Sequence, residues 1–166
     1  MINIKLKKEI IDYTKDIVEQ YDFGQRGRYD GTKLNQYFGI LAENTVRDYV
    51  GVGLIEPKGF DGGWDIMYKG YKSDIKTMNR KVYPKPHYVN NFLDVQRNHS
   101  SEAFIFTSLH IEHAVLTICG WITKKEFLNK AKFYRENTKR FRDNGTFFEA
   151  EADLWEIENK YLYKFE

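Results

Sequence analysis

Apolar residues recur at Ile10, Ile11, Ile17, Val18 and Tyr21 with Thr14 among them, a three-and-four spacing that predicts an amphipathic helix over 8–21. Residues 22–31 hold Gly24, Gly27 and Gly31 beside Arg26 and Arg28 and are expected to form a loop. Thr32 is placed to cap a second helix, which carries Leu34, Phe38, Leu41, Val46 and Tyr49 and ends near Gly51. A glycine-rich connection covers 51–63. The period then changes to two: 64–68 and 71–78 are short β-branched and aromatic runs around Lys69-Gly70, the pattern of a hairpin. Residues 88–92 are expected to form a third strand, followed by a short polar helix over 93–98. The continuous apolar runs 103–109 and 114–122 predict strands buried on both faces. A helix over 124–133, an edge strand within 146–152 and a terminal helix complete the expected order.

This order predicts an α/β domain with a central mixed sheet of about five strands flanked by helices. The 166 residues fit one domain. They divide into an N-terminal helix and loop (1–31), a core containing the hairpin 64–78 (32–123), and a basic helix followed by an acidic C-terminal segment (124–166). Hydrophobic residues make up 42% and charged residues 30%, which excludes a disordered chain. Cys119 is the lone cysteine, which excludes an internal disulfide, zinc fingers and iron–sulfur centres and points to a reducing compartment. No apolar run is long enough to span a membrane, and charges follow Met1 closely, so an intracellular, cytoplasmic protein is expected.

Charge is unevenly distributed although it nearly cancels. Lys124, Lys125, Lys130, Lys132, Arg135, Lys139, Arg140 and Arg142 stand against only Glu126 and Glu136, while residues 145–166 are acidic. The basic stretch either attracts a polyanion or is a solvated helix face paired to the acidic tail.

The informative chemistry lies in the hairpin. With Lys69-Gly70 as a two-residue turn, paired residue numbers sum to 139, so Asp65 faces Asp74 across the strands and Lys76 projects from the same face. Trp64, Ile66 and Ile75 occupy the other face. Two opposed carboxylates repel, and a hard divalent cation with oxygen ligands suits them; Mg²⁺ is commonly held by one or two carboxylates plus phosphate oxygens. A cross-strand Asp–Lys–Asp ion cluster is the alternative.

Asp65, eight intervening residues and then Asp74-Ile75-Lys76 resemble the motif of the PD-(D/E)xK nuclease superfamily. Glu43 lies where that superfamily often carries an acidic residue on the preceding helix, and the element order from about 34 to 122 is similar to its core. Trp64 stands where the motif names Pro, a loosely kept position. The resemblance implies a restriction-endonuclease-like fold. It implies that Asp65 and Asp74 hold Mg²⁺ or Mn²⁺ with the Ile75 carbonyl, that Lys76 positions the attacking water, and that Glu43 assists the metal directly or through water. Gln96 matches a Gln or Lys that some members place after the motif strand.

The expected function is therefore metal-dependent hydrolysis of phosphodiester bonds in DNA. With little room for a sequence-reading domain, a structure- or end-selective nuclease of repair, recombination or phage type is favoured, and a homodimer would supply the two active sites that cutting both strands requires. The alternatives are a non-catalytic nucleic-acid-binding domain and an RNA-directed nuclease with the same site. Arg26, Arg28, Arg80, Lys81, Lys85, Gln96, Lys132, Arg135 and Lys139 are the candidate nucleic-acid contacts. His110 and His113 lack the helical i, i+4 spacing of a metalloprotease pair and are expected to form a polar turn. His87 and His99 are expected to be ordinary surface residues.

Overall fold

Lys8–Gln20 forms α1, whose buried residues Ile10, Thr14, Ile17 and Val18 repeat at helical spacing. The computed structural model describes residues 1–23, 32–57, 62–142 and 145–166. The predicted loop arginines Arg26 and Arg28 lie outside the described residues. Helix α2, Lys33–Val50, starts as the sequence predicts: the Thr32 hydroxyl accepts from Asn35 N–H, and Gly51 closes the helix in the left-handed conformation at φ 76°. The two helices are joined internally by Asn44, which donates to the Thr14 hydroxyl at 3.1 Å.

A mixed five-stranded sheet lies against this helix pair. Its members are β1 (Ile2–Lys5), β2 (Ile66–Tyr68), β3 (Tyr71–Asn79), β5 (Ala103–His110) and β6 (Val115–Thr123), in the order β1-β6-β5-β3-β2. Only β3 and β5 are parallel. The central strand β5 is buried along its whole length, as its unbroken apolar run predicts. Residues alternate between two cores. Ile75, Ile105, Leu116 and Ile118 pack with α1 and α2 residues, whereas Phe104 and Phe106 pack with Phe92, Ile122, Phe127 and Ile157 on the other side.

Phe106 pairs with Gly120 but Thr107 pairs with Ile118, so Cys119 is an extra residue in β6. This bulge reverses the alternation: Ile118 and Trp121 both face the helical core, and Cys119 and Ile122 face the other. Burial pushes the Cys119 thiol up to about 12, which keeps it protonated.

Covering the second face are β4 (Val89–Leu93), β7 (Lys132–Tyr134) and β10 (Leu154–Glu158) in the order β4-β10-β7, together with α3 (Lys124–Lys130). A separate hairpin is made by β8 (Lys139–Phe141) and β9 (Phe147–Glu149). The expected five-stranded sheet is present with different members. Residues 1–31 contribute β1 instead of standing as an appended helix and loop, and the third predicted strand, β4, belongs to the smaller sheet. The predicted helix over 124–133 stops at Lys130, because Phe133 and Tyr134 pair with Trp155 and Leu154. In place of the expected terminal helix is β10, followed by a single 3₁₀ turn, Asn159–Tyr161.

The charge pairing of basic stretch and acidic tail is partly internal. Arg140 holds the buried Glu156 through two hydrogen bonds, at 2.7 and 3.3 Å. Its guanidinium also lies 3.6 Å from the centre of the Tyr134 ring. Arg140→Ala leaves that carboxylate buried without its cation, and the expected cost in urea unfolding is about 2 kcal/mol, reduced from the fully buried case because Arg140 is partly exposed. Glu156→Gln, which keeps hydrogen-bonding atoms in place, should cost less. Equal midpoints for Arg140→Ala and the parent would show that the pair contributes nothing. Among the described residues, no helix is long and apolar enough to cross a membrane.

Candidate active site

Lys69 and Gly70 turn the chain with φ of 49° and 85°, the positive pair that a two-residue type I′ hairpin needs. The register follows the sequence: Tyr68 pairs with Tyr71, Met67 with Lys72 and Ile66 with Ser73. There the ladder ends, one residue short of Asp65. Asp65 N–H still donates to the Ser73 carbonyl at 2.9 Å, but its own carbonyl is taken by Arg47 Nη1 of α2 at 2.8 Å. Its carboxylate continues the bonding in place of the backbone, with Oδ2 accepting from Ile75 N–H at 2.6 Å. Asp65 and Asp74 therefore come together without being ladder partners. Trp64, outside the strand, leaves the expected apolar face and lies near Lys72, whose ammonium is 5.9 Å from its ring centre.

Lys76 does share a face with Asp74. Their side chains form an ion pair at 2.7 Å, both largely buried, and the Lys76 ammonium lies 5.7 Å from the centre of the Phe92 ring. Glu43 approaches from α2, where Arg47 is 3.6 Å from its Oε1. Arg47 thus ties the helix that carries Glu43 to the strand end that carries Asp65. The structure brings Glu43, Asp65, Asp74, Ile75 and Lys76 into one cluster.

Electrostatics show how crowded the acids are. The Asp65 carboxyl is held well above the ordinary carboxylate range, first by loss of solvent, then by the charges of Glu43 and Asp74. Ile75 N–H and Lys76 offset part of this. Folding therefore favours protonated Asp65. In metal-free protein its contribution to stability is present below the unfolded Asp value of about 3.9 and is lost as pH rises through the raised folded value. In EDTA, the melting temperature of the parent should fall more steeply with rising pH across that window than that of Asp65→Asn. Equal slopes would remove the electrostatic argument.

The oxygens here are hard ones: the Asp65 and Asp74 carboxylates, with Glu43 acting on Asp65 through its charge, and, because the N–H and C=O of one strand residue leave on the same side, the Ile75 carbonyl beside Asp65. Among the described residues, no three His, Cys, Asp or Glu side chains make a metal-binding group by themselves. A cation here would complete its shell with backbone, water or phosphate oxygens, as Mg²⁺ commonly does.

Lys124 joins this site from outside the hairpin. Burial lowers its pKa while Asp74 raises it, and its ammonium donates to the His99 carbonyl at 2.7 Å. It belongs to the basic stretch 124–142, and no local pattern marks it, since the fold of β6 into α3 brings it to Asp74. Gln96 is buried in the 3₁₀ turn Asp94–Gln96, and its carbonyl accepts from His99 N–H. Arg80 is partly buried beyond the end of β3, with Lys81 and Lys85 exposed after it. Lys132 and Lys139 are exposed on β7 and β8 and Arg135 between them, so no single basic helix face exists. His110 ends β5, and His113, in the 3₁₀ turn that follows, meets its ring edge to face at 4.3 Å. Comparison with protein-family models, with curated proteins and with solved structures finds no match to this chain.

Proposed function

We propose that the chain is a metal-dependent nuclease of restriction-endonuclease-like type, hydrolysing phosphodiester bonds in DNA with selectivity for structure or ends. The observation that carries this reading is the convergence of Asp65, Asp74 and Lys76 at the open end of the β2–β3 hairpin, with Glu43 supplied by α2. Glu43 and Asp74 have Arg47 and Lys76 as counter-charges, whereas burial and these two acids hold Asp65 in its protonated form; a cation ligand would relieve that, which suits a site that takes a metal ion.

A bound Mg²⁺ or Mn²⁺ would polarise the scissile phosphate and lower the pKa of a coordinated water. The protein's own contribution is positional. Ile75 N–H fixes the Asp65 carboxylate, and Asp74 holds the Lys76 ammonium where it can donate to an attacking water and offset charge on the phosphorus oxygens. Arg47 keeps the Glu43 helix in register with Asp65.

The test is cleavage of linear, nicked-circular, branched and single-stranded DNA, with RNA counterparts, in Mg²⁺, Mn²⁺, Ca²⁺ or EDTA. Cutting in Mg²⁺ and Mn²⁺, weak support by Ca²⁺ and none in EDTA are expected. Cleavage confined to RNA would move the reading to its RNA-directed form. Full activity in EDTA, or no cleavage of any substrate, would overturn it.

A further inference from the structure

Beyond the acidic cluster, β3 runs into a cavity of about 780 Å³ bounded by β4, β10 and the β8–β9 hairpin. Asp74, Lys76, Met78 and Arg80 succeed one another at the period of two, and the last two line this cavity. Site and cavity thus follow one another along β3 and the residues just after it. From Lys76 to Arg80 is about 13 Å at 3.3 Å per residue, or about four base steps of 3.4 Å.

Arg80 is built into the wall. One of its nitrogens, Nη2, donates to the Val89 carbonyl and its guanidinium lies 5.2 Å from the centre of the Tyr88 ring, yet Nε is buried without a hydrogen-bond partner. Among the described residues no carboxylate pairs with it. A partly buried guanidinium that lies on the cavity lining and has no carboxylate partner can turn its remaining donors to a phosphate, whose oxygens its planar fork matches. Asn91 also lies on the lining, its Oδ1 buried and unpartnered. Phe148 supplies an aromatic wall, with Arg142 5.4 Å from its ring centre. Arg140 is committed to Glu156, and Glu149 and Glu151 line the rim, which leaves the Arg80 end for a phosphate.

The volume lies in the range of small-ligand pockets, enough for one nucleotide. We infer that this cavity takes an unpaired nucleotide of the substrate strand, three or four steps from the scissile bond, with its phosphate on Arg80 and its base against Phe148. The inference rests on the nuclease reading and deepens it: the preferred substrate carries a single-stranded segment beside the cut.

Binding is measured in EDTA by fluorescence anisotropy, using a fluorescein-labelled single-stranded oligothymidylate of about 12 residues and a blunt duplex of equal length. The parent should prefer the single strand. Arg80→Gln and Phe148→Ala should each weaken that binding by at least about tenfold, the loss of one stacked or charge-paired nucleotide. If Arg80→Gln melts early, the half-buried Phe148→Ala decides. A parent that prefers the blunt duplex, or a Phe148→Ala variant that binds like the parent, overturns the inference.

Cleavage in Mg²⁺ of tailed and blunt duplexes separates the two claims. A parent that cuts nothing yet loses single-strand binding in both variants refutes the nuclease and keeps the cavity as a single-strand site. Equal cutting of tailed and blunt duplexes by the parent and Phe148→Ala refutes the cavity and keeps the nuclease.

Discussion

On the proposed mechanism, Asp65→Ala, Asp74→Ala and Lys76→Ala are each expected to lower cleavage in Mg²⁺ by at least about 1,000-fold, because each would remove charge or a donor from the reacting phosphate. Asp74→Ala has a double effect: it deletes a proposed oxygen ligand and releases Lys76 from the contact at 2.7 Å that fixes its ammonium. Lys76→Ala leaves the acids in place, so cation binding should survive while turnover does not. Asp65→Asn is the sharper variant at the first position, since its amide oxygen can still accept from Ile75 N–H and the strand end keeps its geometry. Glu43→Ala should lose only about 10- to 100-fold, as expected of a residue that supports the inner ligands. Initial rates, with circular dichroism to confirm folding, provide the measurement. Parental rates in a folded Asp74→Ala or Lys76→Ala protein would leave the cluster without a catalytic role and favour the binding-domain reading.

The largest expected loss of stability lies two strands over from Lys76, at Gly120. Its φ is 153°, and a Cβ there would sit 2.5 Å from the Tyr163 carbonyl oxygen and 2.7 Å from Leu162 Cβ. The first of these is backbone, so no rotamer change relieves the clash. Tyr163 is held there by reciprocal hydrogen bonds with Trp121, at 2.8 and 3.1 Å. Gly120→Ala must therefore either break that bridge or distort the bulge at Cys119. The expected cost is about 3 kcal/mol, or ~10 °C in melting temperature for a domain of this size. Gly39→Ala, at a helical position with open space around the added Cβ, is the contrasting control and should leave stability unchanged or raise it slightly. Indistinguishable melts for Gly120→Ala and the parent would show that the C-terminal segment does not press on β6 as described.

Local patterns carried much of the architecture. Helical spacing located α1, the Thr32 cap and Gly51 bounded α2, and the Lys69-Gly70 turn set the register of β2 against β3. These features depend on residues close together in the chain, where side-chain periodicity and turn chemistry act directly. The hairpin arithmetic also placed Lys76 beside Asp74 and put Asp65 within reach of both, so most of the candidate site was legible in sequence.

Partners distant in the chain decided the rest. Ile2–Lys5 is a strand because β6 offers it an edge, and 132–134 leave the helix because β10 pairs with them. Glu156 breaks the apolar alternation of β10, and only the guanidinium of Arg140 makes its burial tolerable. Likewise Asp65 bonds Arg47, 18 residues earlier on α2, where the ladder ends, and Lys124 reaches the Asp74 field from 50 residues further along the chain. A sequence read locally specifies which side chains share a face; which buried charge finds a counter-charge depends on long-range pairing, and that pairing sets the electrostatics of the site.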